Sequence, residues 1–294
     1  MKSGFVSIVG RPNVGKSTLI NTIIGEKIAI VSDKPQTTRT RIQGIHTCDE
    51  GQIIFVDTPG MHKPKHLLGE YMMEVSTRSL EEVDAIYYMT DVTRPFGPGE
   101  QYILNQLAHV TVPVFLIVNK IDLADEKEIK RFVEPFFSQM HFAEYIPISA
   151  AKGTNLELLM DRTFAALPEG PLYYPEEEFT DQTVSFLVSE IIREKALALT
   201  RDEVPHSLAV EVEEFKQQEG KSKVYIRASI NTERDSQKGI IIGKNGSMLK
   251  KIGEQARLDI EKMLDSAVYL DLWVKVKKNW RDDEKNLNQL GYRR

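Results

Sequence analysis

The sequence predicts two domains in tandem: over residues 1–170 an α/β unit with a mostly parallel sheet and one antiparallel edge strand, and over 182–294 a smaller α+β unit, with a linker at 171–181. Three features carry that expectation. Short apolar runs alternate with helix-length amphipathic stretches from residue 5 to residue 167. Turn residues Asp49-Glu50-Gly51 separate two alternating runs, and the order of elements changes beyond residue 181.

Taken in order, Phe5–Gly10, Ile53–Asp57, Ala85–Asp91, Val114–Ile121 and Tyr145–Ser149 are rich in Ile, Val and Phe, as strands buried on both faces should be. Arg41–Thr47 and Gln52–Val56 flank the Asp-Glu-Gly turn and read as a hairpin, which supplies the antiparallel edge. Leu167-Pro168-Glu169-Gly170-Pro171 stops the last helix of this half. The segment after it, including Glu176-Glu177-Glu178, lacks periodicity and reads as a solvated linker. Then follow a helix (Gln182–Thr200), two strands (Leu208–Phe215 and Val224–Ile230), a glycine turn, a helix (Met248–Leu264), a strand (Val268–Val276) and a short terminal helix.

A chain of 294 residues exceeds the comfortable size of one hydrophobic core. No stretch reaches about 18 apolar residues, and Met1-Lys2-Ser3-Gly4 leads straight into a strand-like run, so neither a membrane span nor an export signal is expected. The single cysteine, Cys48, excludes an internal disulfide framework and fits a reducing, cytoplasmic location. Net charge is −5, yet from Lys216 onward there are 18 Lys and Arg against 11 Asp and Glu. A basic end on an acidic body points to an anionic partner for the second domain.

Gly10-Arg11-Pro12-Asn13-Val14-Gly15-Lys16-Ser17 matches G-x-x-x-x-G-K-[ST] directly after a strand and at the start of a helix. Such a loop turns backbone N–H groups toward phosphates, the helix start that continues through Thr18 adds partial positive charge, Lys16 supplies a point charge, and Ser17 offers a hydroxyl to Mg²⁺. Asp57-Thr58-Pro59-Gly60 ends a neighbouring strand, placing the Asp57 carboxylate where it can hold Mg²⁺ through water and the Gly60 N–H where it can meet the γ-phosphate. Asn119-Lys120-Ile121-Asp122 follows another strand, and the Asp122 carboxylate can accept both N–H donors on the Watson–Crick edge of guanine. Adenine cannot satisfy it. Ser149-Ala150-Ala151-Lys152 closes the expected guanine pocket with backbone N–H groups. The expected ligands are GTP and GDP, and the reaction is GTP hydrolysis.

These elements together resemble the translation-factor-related P-loop GTPases. That resemblance implies Thr38, in Gln36-Thr37-Thr38-Arg39, as the switch threonine on Mg²⁺, with Thr37 the alternative. In GTPases of the Ras type a glutamine orients the attacking water. Here the residue is Met61, which cannot hydrogen-bond water, so orientation falls to the backbone, an ion or a partner. The run Pro12 to Lys16 resembles GTPases in which the asparagine, here Asn13, holds a potassium ion, and K⁺ is therefore an expected second cation. Arg39 and Arg41 in the same loop read as solvated switch residues, with charge supplied in cis as the alternative, and His62 and His66, with Pro64 between them, as surface residues rather than a metal pair.

Gly243-Lys244-Asn245-Gly246 before a helix is a G-x-x-G turn. Neither glycine obstructs a nucleic-acid backbone, Lys244 and Lys250 offer charge to phosphate, and Ile240-Ile241-Ile242 is expected to floor a groove for bases. Trp273 is expected in the core, with Lys275, Lys277 and Lys278 along a solvated strand edge. The order of elements resembles a type II KH domain, whose ligand class is single-stranded RNA.

A GTPase domain, linker and KH domain together resemble the bacterial Era family over essentially the whole chain. The resemblance implies a monomeric ribosome-assembly GTPase that engages the 3′ end of 16S rRNA and the small subunit, with loose association at the inner face of the cell membrane. The competing expectation is a signalling GTPase whose second domain binds a protein or membrane surface.

Overall fold

The computed structural model describes residues 1–292 apart from 33, 35, 62, 63, 65 and 218–222. Two compact units emerge: one from most of residues 1–181, the other from 182–294 together with two short stretches, 30–34 and 65–71.

In the first unit the strands are β1 (Lys2–Val9), β2 (Ile42–Cys48), β3 (Gly51–Asp57), β4 (Ala85–Asp91), β5 (Val114–Asn119) and β6 (Glu144–Pro147), in the order β2-β3-β1-β4-β5-β6. All neighbours are parallel except β2 and β3, the expected hairpin. The helices are α1 (Lys16–Ile24), α2 (Leu67–Arg78, of which residues from 72 onward belong to this unit), α3 (Pro98–Leu107), α4 (Glu126–Phe137) and α5 (Leu156–Ala166). Alternate residues of one strand serve opposite cores, Ile8 and Tyr87 packing on one face and Val9 and Tyr88 on the other. The near-continuous apolar runs follow from that double burial.

Asp57, Asp91 and Asn119 end β3, β4 and β5 at the carboxyl edge of the sheet, the edge from which α1 also departs. Asparagine 119 comes two residues earlier than the expected end of its strand, because Ile121–Leu123 turns into a 3₁₀ helix after Lys120 adopts a left-handed backbone (φ 65°). The linker is exposed at Glu176–Glu178, yet it is attached to the hairpin. Ile45 N–H donates to the Phe179 carbonyl, and the Gln52 side-chain oxygen accepts the N–H groups of Tyr173 and Tyr174.

The second unit contains α6 (Val184–Leu199), β7 (Ala209–Gln217), β8 (Lys223–Thr232), α7 (Asp235–Ile242), α8 (Ser247–Leu264), β9 (Ala267–Val276) and α9 (Glu284–Gln289). Its sheet runs β7-β8-β9, antiparallel then parallel. Two expectations fail here. Where only a glycine turn was anticipated there is a helix, α7, short and carrying Gly239 and three isoleucines, so it has little helical signature of its own. Trp273 is 56% exposed, while Trp280 is fully buried and donates its indole N–H to the Ser207 carbonyl at 2.9 Å. Val268 and Val274 of β9 lie in the core and Leu270 and Leu272 pack against it, so period-two alternation sends Tyr269 and Trp273 to the opposite face.

Half-burial of His46 on β2 holds its imidazole below the ordinary value. The unfolded chain then takes up a proton at higher pH than the fold does, so this residue makes stability fall as pH drops below about 6.5. Replacing it, His46→Gln, should flatten that part of the stability profile in chemical denaturation across pH 4 to 7, taken as about the window in which a histidine titrates.

Candidate nucleotide and nucleic-acid sites

Between β1 and α1 the loop from Gly10 to Ser17 is shaped by its carbonyl partners. Arg94 Nη1 donates to the Pro12 carbonyl at 3.0 Å, Lys120 Nζ to that of Asn13 at 3.1 Å, and Asn119 Nδ2 to that of Val14 at 2.8 Å. Gly15 has φ 105° and lies where a Cβ would be 2.3 Å from Asn119 Nδ2, so only glycine fits. Helix α1 starts without a side-chain cap and without an acidic residue in its first turn, where Thr18 sits, which leaves a helix N-terminus suited to an anion.

Lys16 is 6% exposed, and its ammonium donates at 3.3 Å to the carbonyls of Gly10 and Arg11. Desolvation holds its pKa below the usual lysine value, against the opposing pull of Asp57. Asp57 is 0% exposed, and the same burial pushes its carboxyl upward, against the pull of Lys16, the Ser17 and Thr38 hydroxyls and the Thr58 backbone N–H. Ser17 Oγ donates to Asp57 Oδ2 at 2.8 Å, Thr38 Oγ1 does so at 3.2 Å, and the two hydroxyls are 3.1 Å apart. Asp57 Oδ1 is buried and has no hydrogen-bond partner among the described residues. Three oxygen-bearing side chains around one point, with a fourth oxygen unsatisfied, form a hard-donor set that fits Mg²⁺. Thr37 is also buried, but it is Thr38 that reaches the carboxylate.

Gly60 lies against the loop, where a Cβ would sit 2.8 Å from the Pro12 nitrogen. Met61 is 3% exposed and packs into the core. Arg39 corrects the sequence reading: it is 2% exposed rather than solvated, whereas Arg41 is exposed as expected. His62 lies outside the described residues, and no group of three or more His, Cys, Asp or Glu that could hold a metal occurs among those described.

The base-reading side is equally ordered. Asn119 Oδ1 accepts the Ala150 N–H at 2.9 Å while its amide holds Val14, so one side chain joins the loop at 10–17 to the segment at 149–152. Ala150 N–H is thus engaged by protein, not left for the base as expected, and Ala151 is the adjoining exposed residue. Lys120 Nζ also binds Asp91 Oδ2 at 2.6 Å, and this together with Thr93 holds the Asp91 carboxyl below its usual range although desolvation, the largest single effect, opposes them. Asp122 is exposed, and Ser149 Oγ donates to its Oδ1 at 2.6 Å, which orients the carboxylate.

In the second unit Gly243 (φ 71°), Asn245 (φ 53°) and Gly246 (φ 76°) make a left-handed turn that opens α8. Lys244 and Asn245 are exposed at its tip, and the Lys250 side chain is 78% exposed one turn along α8. Beside the turn lies an open groove of about 450 Å³ between α8 and β9, lined by residues including Gly246, Leu249, Lys250, Gly253, Leu270 and Leu272. The isoleucines of α7 do not floor it. Ile241 is fully buried in the domain core and cannot touch a ligand, while Ile240 is 48% exposed. Sequence reasoning missed Leu249, Gly253, Glu254, Arg257, Leu270 and Leu272. The available signal was Gly253, a residue unfavourable by about 1 kcal/mol inside a helix, whose absent side chain leaves α8 open on that face.

Fold and site together define a P-loop GTPase followed by a KH domain. Residues 5–120 match the family described as 50S ribosome-binding GTPases, and residues 203–281 match the KH domain family. Two solved structures of similar proteins cover 99% of this chain and 99% of their own at 42% identity: Era in complex with MgGDPNP and nucleotides 1506–1542 of 16S ribosomal RNA (TM-score 0.96), and an Aquifex aeolicus Era variant bound to GDP and aluminium fluoride (TM-score 0.94). The chain belongs to the Era family and is a GTPase.

Asp122→Asn presents one acceptor and one donor where guanine needs two acceptors. It should weaken GTP binding by at least about a hundredfold and improve binding of xanthosine triphosphate, whose C2 carbonyl accepts the new N–H; competition calorimetry reads both.

Proposed function

We infer that this protein is a GTP-driven switch in small-subunit assembly, binding the 3′ region of 16S rRNA through its KH domain. The observation that carries the reading is the left-handed Gly243–Gly246 turn beside the α8–β9 groove, in a chain whose relative is solved with that stretch of rRNA. Exposed Lys244 and Lys250 would meet phosphates, and Leu270 and Leu272 would meet bases. The single, half-buried Cys48 suits a cytosolic setting. No helix among the described residues is long and apolar enough to cross a membrane, so contact with the inner membrane face would be peripheral.

In the catalytic centre Lys16 and the N–H groups of the loop hold the β- and γ-phosphates, and Gly60 N–H meets the γ-phosphate. Ser17, Thr38 and Asp57, the last through water, would hold Mg²⁺, which supplies charge neutralisation at the phosphates. Asn13, with a left-handed backbone (φ 66°), is the residue on which K⁺ would add charge where an arginine finger otherwise acts. Support comes from the burial of Met61, which leaves water orientation to other groups.

Two outcomes test this. Turnover should be faster in KCl than in NaCl at equal ionic strength, and Asn13→Ala should abolish the difference; equal rates in both salts for the unaltered protein would remove potassium from the scheme. An RNA spanning 16S nucleotides 1506–1542 should bind with a clear salt dependence, and Lys244→Asp should weaken it by roughly tenfold and reduce the salt slope by about one. RNA affinity insensitive to both would favour a protein or membrane partner for the second domain.

A further inference from the structure

Arg11 stands second in the phosphate loop, yet its guanidinium is directed into the protein. Its Nη1 lies 3.5 Å from Glu100 Oε1, in the first turn of α3. The Glu100 side chain is 3% exposed, and its other oxygen accepts the Tyr88 hydroxyl of β4. Gly99 makes the room: a Cβ there would stand 3.0 Å from Arg11 Nε and 3.2 Å from its Cδ. One residue further along the loop, Arg94, whose Nε lies 3.5 Å from Asp91 Oδ2, holds the Pro12 carbonyl. None of these side chains has a part in the chemistry above.

We propose that Glu100, fixed by Tyr88, is a positioning residue that tethers the phosphate loop through Arg11 and so presets the loop for the nucleotide; this deepens the GTPase assignment and rests on it. A carboxylate this deeply buried is costly unless paired. Tyr88, Arg11 and the positive end of α3 compensate it. Burial raises the Glu100 carboxyl and opposes its ionisation, while Tyr88 and Arg11 act the other way. Arg11 is one-third exposed, so its end of the pair is partly screened, but removing it leaves the buried carboxylate with less compensation and should also lower the melting temperature. Beyond that, the tether removes loop conformations that binding would otherwise have to suppress, which appears as a loss of nucleotide affinity when the tether is cut.

The test is GDP affinity by titration of a fluorescent GDP analogue, with melting of the nucleotide-free protein alongside. Glu100→Gln keeps an acceptor for Tyr88 but loses the charge, and Arg11→Ala removes the other end at a partly exposed position. Each should weaken GDP by about tenfold, the double variant by no more than either single one, and Arg11→Lys should recover most of the loss. In Glu100→Gln the KM for GTP should rise by about tenfold while kcat falls by less than about twofold. Three results would overturn the tether: unchanged affinity in both single variants, multiplicative losses in the double variant, or loss confined to Arg11→Ala, which would mean that the guanidinium acts on the nucleotide itself. Failure of the unaltered protein to bind GDP would instead remove the GTPase assignment beneath it.

Discussion

Asp57 and Lys16 are both almost fully withdrawn from water, at 0% and 6% exposure, and each is pushed by that burial toward its neutral form. Neither charge is tolerable there alone, because an isolated buried ion costs several kcal/mol or more. The sheet makes their proximity unavoidable. Strands β1 and β3 pair in parallel with Ile8 opposite Asp57, and α1 begins at Lys16 after the loop that leaves β1. Ser17 and Thr38 supply two hydroxyls to one carboxylate oxygen, and the other is buried with no hydrogen-bond partner among the described residues. A cation and a polyphosphate would supply what the protein leaves open, so a buried charge that is costly by itself is placed where its ligands compensate it.

Around that centre the backbone is oriented by its acceptors rather than its donors. Three successive loop carbonyls, from Pro12 to Val14, are each bound by a side chain from the ends of β4 or β5. A loop whose carbonyls are engaged on one side can present its N–H groups on the other. Two of the three clamping residues, Asn119 and Lys120, belong to the segment that carries Asp122. The segment that carries Asp122 and the shape of the loop are therefore coupled, with Asn119 joining residues 10–17 to residues 149–152.

The P-loop, the aspartate at the end of β3 and the hairpin at the sheet edge were legible because each is a local pattern with a local cause: glycine spacing, a strand terminus, a turn between alternating runs. Residues whose role is set by tertiary contact were not. Arg39 looks solvated by composition, yet the fold buries it. Helix α7 is too short and too poor in helix formers to declare itself, so Ile241 was read as groove rather than core. Glu100 carries no motif at all; its partners, Arg11 and Tyr88, are 89 and 12 positions away in sequence and meet it only because β4 and α3 are adjacent to the loop.

Trp273 shows the limit most clearly, since the necessary information was present. Alternation along β9 puts Val268 and Val274 in the core and Leu270 and Leu272 against α8, and position 273 has the opposite parity. Size and apolarity argued for burial; period-two geometry argued against it and won. The same parity explains how the groove is made. The inward residues of this edge strand meet α8, and a glycine in that helix, Gly253, leaves space between the two elements. The basic surplus from Lys216 onward is then borne by a domain with an open groove, floored by Leu249, Leu270 and Leu272 and edged by Lys250, Glu254 and Arg257, with Lys244 at the exposed tip of the adjoining turn. That combination suits a ligand with a charged backbone and flat bases better than it suits a protein helix, which would need more apolar depth and no phosphate-binding turn.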